Sequence, residues 1–259
     1  MFRRLPPFGG DQRAVAEVVN NIMDGKTNNT GTVTLATGNA TTTTLTDARI
    51  GIDSVILLVP SSAAAIADTA PYGAFQSLVD QTIASTTTAY AVTLDTTDYT
   101  NGVYLSNSSR LNVRNAGIYN LQWSGQFENT DSQDHDAYVW IRKNGTDVTG
   151  STGVIAIPSK HGSVNGHTIS GWNYFLELAA NDYIQIYWSS DSTTVSLQLY
   201  PIGTLPAKPS TASIIATMQY VAPNAMDNVY ISSQTNGSAV ITHFANSTAS
   251  KTYKYVIVG

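Results

Sequence analysis

Alternation of large apolar with small or polar residues between positions 119 and 200 constrains this chain more than any other feature. Residues 118–127 have the two-residue period of a β-strand, in which successive side chains point to opposite faces of a sheet. Later strand-like segments follow at 136–143, 169–178, 183–188 and 195–200. The first of them runs into Asn144-Gly145, a pair that tolerates the positive φ angles of a tight hairpin turn. The pattern therefore predicts an all-β module.

Four stretches of this module, taken together, resemble the trimeric jelly-roll domains of the complement and tumour-necrosis-factor type. The resemblance is nearest to the versions found in bacteriophage virion proteins. It is carried by AGIYNLQWSGQFEN, VWIRKNGTDV, GWNYFLELAANDYIQIYWSS and VSLQLYP. It covers residues 72–221. It implies no reaction but a homotrimeric knob, in which the aromatic-rich inner face of each copy is buried against the other two copies.

Composition narrows the functional classes. Charged residues make up 12% of the 259 residues, about half of the usual ~25%. Thr, Ser, Asn and Gly take their place, which is typical of an extracellular β-rich scaffold such as a viral fibre or decoration protein. The absence of cysteine excludes disulfides, thiolate metal sites and cysteine nucleophiles. With a net charge of −5 and no basic block beyond Arg3-Arg4, we expect no nucleic-acid partner.

The first ten residues predict an extended arm, because Pro6-Pro7 removes two backbone donors and Gly9-Gly10 adds flexibility. Either this arm is a tail, or it is a peg that threads into a partner. Phe2, Leu5 and Phe8 recur at the three-residue period of a polyproline-type strand and would line one side of the peg. The candidate attachment residues are therefore Phe2, Arg3, Arg4, Leu5, Pro6, Pro7 and Phe8.

The same region has no apolar core of the length that a signal peptide needs, and no run approaches the ~18 apolar residues of a membrane span. We therefore expect a protein that is made in the host cytoplasm and ends at the virion surface after lysis, with no insertion into a membrane.

An amphipathic helix is predicted for residues 11–24, within a segment 11–27. Asp11 is its expected N-cap, and Gly25 is its expected left-handed C-cap. Its apolar positions at helical spacing are Val15, Val18, Val19, Ile22 and Met23. The local β-domain would cover this face, or else a trimer axis or a capsid surface would.

Further strands are predicted on both sides of the jelly roll, at 31–36, 42–46, 53–60, 228–232, 237–244 and 252–258. Residues 53–60 are apolar on both faces, which is typical of a central strand. The two outer parts resemble two halves of a small β-domain of phage structural proteins. We therefore predict a discontinuous β-sandwich-like domain, 28–70 plus 223–259, that attaches to the particle and hosts an inserted jelly-roll knob, 71–222. Pro71 and Pro223 lie at the joints.

No catalytic residue, cofactor or metal ligand is predicted. The loop 131–136 is rich in Asp and would be either a solvated connection or a Ca²⁺ site, although it lacks the EF-hand pattern. The four histidines lack zinc spacing, no G-x-S-x-G motif occurs, and no two carboxylates stand out as a glycosidase pair.

The four tryptophans all fall within strand patterns, so core packing is their expected role. An exposed one would instead stack on a sugar ring. They are Trp123, Trp140, Trp172 and Trp188.

These observations predict a non-enzymatic bacteriophage virion protein, a homotrimeric capsid decoration protein or head fibre. It would attach by its N-terminal arm and small domain to the major capsid protein or another virion protein. Its knob would stabilise the shell or adsorb to the host surface, with a host surface glycan as a further partner. A tail-fibre or tail-adaptor receptor-binding protein is the alternative, and a glycan-degrading enzyme is a third hypothesis.

Overall fold

The computed structural model describes residues 11–23, 29–66, 69–221, 229–248 and 250–259. The predicted all-β class is confirmed, because strands dominate and the helices within the described residues are short. The candidate attachment residues Phe2 to Phe8, the predicted cap Gly25 and the joint residue Pro223 lie outside the described residues. The chain divides into two compact units. The small unit is Met1–Asp68 with Met226–Gly259, and the large unit is Thr69–Ala225.

The secondary-structure elements follow in chain order. The first segment contains α1 (Gln12–Met23), β1 (Thr30–Thr34), β2 (Ala40–Thr46), β3 (Val55–Pro60) and α2 (Ala63–Ile66). The large unit contains β4 (Tyr72–Ser77), β5 (Gln81–Thr82), β6 (Tyr90–Ala91), β7 (Thr96–Asn101), β8 (Val103–Ser106), β9 (Arg110–Val113), β10 (Gly117–Asn129), β11 (His135–Lys143), β12 (Thr146–Asp147), β13 (Gly153–Ile157), β14 (Gly166–Leu178), β15 (Tyr183–Ser190), β16 (Val195–Leu197), β17 (Gly203–Thr204), β18 (Ala207–Lys208) and β19 (Ile214–Tyr220). The last segment contains β20 (Val229–Thr235), β21 (Ser238–Asn246) and β22 (Thr252–Val258).

Helix α1 begins where the sequence predicts. The side chain of Asp11 accepts a hydrogen bond of 2.7 Å from the backbone N–H of Ala14, which satisfies one of the free donors of the first turn. The apolar residues of α1 are only partly covered, since Val15, Val19 and Ile22 are 39%, 49% and 57% exposed. The expectation that the local β-domain covers this whole face is therefore wrong.

The small unit is a sandwich of two three-stranded sheets, ordered β1-β22-β3 and β2-β21-β20. Strands from the two outer chain segments pair within each sheet, because β22 lies between β1 and β3 and β21 lies between β2 and β20. The side chains that face each other between the sheets form one core, which includes Leu35, Leu45, Ile241 and Ile257. This packing holds together two segments that are far apart in the sequence.

Strand β3 departs from its sequence prediction. It pairs with β22 on one side and ends its sheet, so it is an edge strand and not a central one. Val55, Leu57 and Val59 point away from the core and are all more than half exposed. Two apolar faces indicated burial on both sides, but only the face of Ile56 and Leu58 packs against the core.

One contact network in the small unit depends on a glycine. Gly31 lies directly opposite Tyr255 in the β1–β22 pair, and a Cβ at Gly31 would lie 2.2 Å from the tyrosine ring. The Tyr255 hydroxyl donates a hydrogen bond of 2.7 Å to Asp47. Arg49 donates to both carboxylate oxygens of Asp47. These hydrogen bonds, from Arg49 above all and also from Tyr255, hold the pKa of Asp47 far below its ordinary value.

The large unit is a jelly-roll sandwich. One sheet contains β7, β4, β19, β10 and β14 side by side, with β16 and β5 continuing beside β10. The other is ordered β12-β11-β15-β9-β8, with β13 beside β11 and β6 beside β15. Successive long strands change sheet, so that most neighbours in a sheet are distant in sequence. The core between the sheets is rich in aromatic residues, which include Phe75, Tyr119, Phe127 and Trp188.

The predicted Asn-Gly hairpin is confirmed. Asn144 and Gly145 have φ angles of 50° and 84°, and they connect β11 to β12 with Lys143 directly opposite Thr146. Positive φ at both positions is what a two-residue turn between twisted strands requires.

The prediction that all four tryptophans pack in the core is correct for two of them. Trp123 and Trp188 are buried, at 7% and 1% exposure. Trp172 is 47% exposed on β14, where its ring lies against Gly153 of β13. Trp140 is half-buried on the outer face, because the inner positions of β11 belong to its neighbours in sequence. Alternation identifies two faces for each strand, but a tryptophan can occupy either.

Candidate assembly face

The outer face of the β7-β4-β19-β10-β14 sheet is the most distinctive surface of the large unit. The even-numbered residues of β10 point outward, and strand register places the odd-numbered residues of β14 and β19 beside them. We name this surface the assembly face. Its large apolar members are Tyr72, Tyr99, Ile118, Ile169, Phe175 and Ile215.

These apolar side chains are solvent-exposed to an unusual extent. Ile169 and Phe175 on β14 are 68% and 58% exposed, Tyr99 on β7 is 67% exposed, and Ile118 and Ile215 are each close to half exposed. Single exposed apolar residues are normal, but an aligned group on one sheet face is typical of a protein–protein contact.

The polar residues along the middle of the face carry no charge. There β10 contributes Asn120, Gln122 and Ser124, while β19 contributes Thr217 and Gln219. Charged or titratable residues appear at the ends of the β10–β14 pair, Glu177 and Glu128 with His167, and on β7, where Asp98 accepts a hydrogen bond of 2.8 Å from Gln76 of β4. Depletion of charge in the centre of a patch is a compositional mark of interface cores.

Asn120 adds an independent observation. Its side-chain oxygen is buried, yet it accepts no hydrogen bond within the part of the chain that the structure describes. An unsatisfied buried acceptor costs about 1–3 kcal/mol. Asn120 lies opposite Phe175 of β14 and Gln219 of β19, in the middle of the assembly face.

The sequence did not single out these residues. An aromatic-rich inner face was expected to meet neighbouring copies, but those aromatic residues fill the core between the two sheets. Ile169 and Phe175 occupy the opposite parity from the buried residues Leu176 and Leu178 of the same strand. That opposite parity was the available signal, because Phe175 stands between Tyr174 and Leu176, two large residues of the other face.

The acidic loop 131–136 is held by protein partners. His135 Nε2 lies 2.9 Å from Asp131, and His135 Nδ1 lies 3.1 Å from Asp191, so the imidazole bridges two loops. The hydrogen bond with His135 is the main reason why the pKa of Asp131 is lowered. Asp134 accepts a hydrogen bond of 2.7 Å from the backbone of Ser159, which lowers its pKa as well. The carboxylates therefore face different partners, and within the described residues no three such side chains form a group that suits a metal ion.

A second polar cluster lies at one end of the assembly face. The Tyr200 hydroxyl donates to Glu128 at 2.9 Å and contacts His167 Nδ1 at 2.7 Å, while Asn165 donates to the other oxygen of Glu128 at 3.0 Å. Burial and the adjacent carboxylate raise the pKa of Tyr200. Each of these polar groups has a hydrogen-bond partner within the cluster, and these contacts connect β10, β14 and the segment after β16.

His161 and His243 lie in unrelated places. His161 pairs with Val164 in a small turn of the loop before β14. His243 is buried in the small unit, where its Nδ1 donates to the carbonyl of Phe244 and its Nε2 contacts Thr43 at 2.9 Å. The structure does not bring the four histidines together. Across the described ranges, no helix has the length and apolarity to span a membrane.

Comparison of the chain with models of known protein families finds no match, and comparison with curated proteins finds no significant relative.

Proposed function

We propose that this chain is a non-enzymatic structural protein of a bacteriophage virion, a homotrimeric capsid decoration protein or head fibre. In this proposal the N-terminal arm and the small unit attach to the major capsid protein or another virion protein. The large unit is the exposed knob that stabilises the shell or meets the host surface.

The main support for the proposed homotrimer is the assembly face. A sheet face with aligned, exposed apolar side chains and uncharged polar residues along its middle is suited to cover by another protein surface. In a closed ring of three copies, the assembly face of each copy would contact a different surface of the next copy. Threefold symmetry is the arrangement that the jelly-roll resemblance implies.

The virion assignment has separate support. The stretches that resemble phage jelly rolls fall on the strands of the large unit, and those that resemble a small phage domain fall on the paired strands of the small unit. The low charge content and the many Thr, Ser and Asn residues suit a particle surface. The tail-fibre alternative shares the trimer and the knob and differs in the place on the particle.

Native mass measurement tests the oligomeric part of the proposal. A trimer at micromolar concentration is expected, and a stable monomer at that concentration would remove the main support for the proposed knob.

Attachment is tested on particles. We expect that a chain lacking residues 1–10 still forms trimers but occupies particles poorly, because the two prolines lower the entropy lost on docking and the arm supplies apolar contact. Replacing Arg3 and Arg4 by Ala should weaken the salt-sensitive part of binding, whereas the matched control Arg13→Ala should not. Unchanged occupancy of the truncated chain would assign attachment to α1 or the small unit. In a separate experiment, antibody labelling of particles shows whether the protein lies on the head or on the tail.

A further inference from the structure

The outer face of the other sheet of the large unit carries an aromatic cluster. Strand register places Trp140 of β11 directly opposite Tyr187 of β15, and their ring centroids lie 6.1 Å apart at an interplanar angle of 36°. Tyr138 points to the same side two positions before Trp140. The guanidinium carbon of Arg142 lies 3.8 Å from the centre of the Tyr187 ring, within cation–π distance.

Asp147 fixes the orientation of this cluster. One of its oxygens, Oδ1, accepts hydrogen bonds from the Trp140 indole N–H at 2.8 Å and from Arg142 Nε at 2.7 Å. These two donors, Arg142 first, lower the pKa of Asp147, so the carboxylate is ionised at neutral pH. The Asp147 side chain is 57% exposed, and its Oδ2 accepts no hydrogen bond from any described residue. An oriented anionic acceptor therefore stands beside the indole ring.

A pocket adjoins this acceptor. It has a volume of about 370 Å³ and opens to solvent, and its lining comprises Tyr138, Trp140, Asp147, Val148, Thr149, Gly150 and Thr152. That volume is within the ~300–1,000 Å³ range of small-molecule sites. The lining combines aromatic rings with hydroxyl and carboxylate groups.

These properties select a class of ligand. A pyranose ring has an apolar face of C–H groups, which stacks on an aromatic ring, and a rim of hydroxyls, which donate to carboxylates and accept from guanidinium groups. The charges of Arg142 and Asp147 cancel within the cluster, so a neutral sugar fits better than an anionic one.

We propose that this pocket binds a neutral pyranose unit of a surface polysaccharide, with Trp140 as the stacking platform and Asp147 Oδ2 as the hydroxyl acceptor. The proposal deepens the proposed function and rests on it, because a knob that meets the host surface needs a ligand there. The pocket lies on the other sheet of the large unit from the assembly face.

The test uses the full chain labelled with ¹⁵N, in which the four tryptophans give four indole N–H signals. The probes are the methyl pyranosides of glucose, galactose and N-acetylglucosamine. We expect at least one probe to shift the Trp140 signal, with a dissociation constant of about 1 mM, which is typical of a single sugar unit in an open site. Trp140→Leu removes the reporting indole, so binding to this variant is followed by the backbone amide signals of Thr149 and Gly150 in the pocket lining, and their shifts should disappear. Asp147→Asn keeps the shape and should weaken binding by about tenfold or more.

Trp172→Phe is the matched control, because Trp172 is an exposed tryptophan of the same unit outside the pocket and its loss should leave binding unchanged. The mass of the same samples is measured in parallel. A trimer with no response of the Trp140 signal to any probe overturns the sugar site and leaves the proposed function standing. A monomer that still binds through Trp140 and Asp147 supports the site while the proposed trimer fails. Equal affinity of wild type and Asp147→Asn would also overturn the assignment.

Discussion

Replacing Ile169 by Asp should dissociate the oligomer. Ile169 is 68% exposed on the assembly face of β14. Full burial of an isoleucine side chain is worth about 1.5–3 kcal/mol, so covering the exposed two-thirds contributes about 1–2 kcal/mol for each protomer. A trimer loses three such contributions, about 3–6 kcal/mol in all, and a free-energy change of ~1.4 kcal/mol is tenfold in an equilibrium constant. The dissociation constant should therefore rise by about 10²–10⁴-fold, before the cost of desolvating three carboxylates is added.

Val154→Asp is the matched control. Val154 is an aliphatic strand residue with a nearly equal exposure of 64%, but it lies on β13 in the other sheet. Sedimentation velocity over a concentration series measures the assembly of wild type and both variants, and circular dichroism checks that each remains folded. Ile169→Asp with the same mass and concentration dependence as Val154→Asp would refute the assignment of the assembly face.

Three further predictions concern the small unit. Gly31→Ala should lower its stability by about 1–3 kcal/mol in urea denaturation, because the new Cβ displaces the Tyr255 ring, whereas the control Gly51→Ala, 3.3 Å from its nearest neighbour, should cost less. The low pKa of Asp47 stabilises the fold fully above pH about 4, the ordinary range of a carboxyl group, and this contribution is lost as the pH falls toward the folded-state pKa. The stability difference between wild type and Asp47→Asn should therefore shrink on acidification, and a constant difference across a pH series would contradict this linkage. Finally, deleting residues 72–221 and joining the ends with a short linker should leave a domain with protected amides, because the strands of both sheets come from the outer segments. An unfolded product would show that the small unit needs the large one.

Local sequence patterns were sufficient to predict a structural feature where the contacts that determine it lie within a few residues along the chain. Asp11 caps α1 because its side chain reaches a backbone donor three residues away. Asn144 and Gly145 form the predicted turn because their own φ preferences permit it. Period-two alternation in β10 and β11 predicted strands with one buried face, since that period belongs to the geometry of a single strand.

The candidate sites were less predictable. The acidic loop 131–136 drew attention as a group of ligand-type side chains, but His135 and the backbone of Ser159 occupy its carboxylates individually. Trp140 was expected in the core, and its partner Asp147 is recognisable only after the hairpin has folded back on β11. The proposed attachment arm, residues 2–8, remains a prediction from sequence.

The sequence by itself determined some of the strands, among them β10, β11 and β22, as well as where a helix starts and where a tight turn falls, but it predicted no strand at β4, β13 or β19. Only the tertiary structure decided that β3 is an edge strand, that Ile169 and Phe175 share an uncovered face with Ile215, and that Trp140 points outward. The physical reason is that a strand's position in a sheet, and the surface that its outer residues join, depend on pairing with distant segments. In the β3–β22 pair, Leu57 lies opposite Val256, and no local preference of either residue specifies the other.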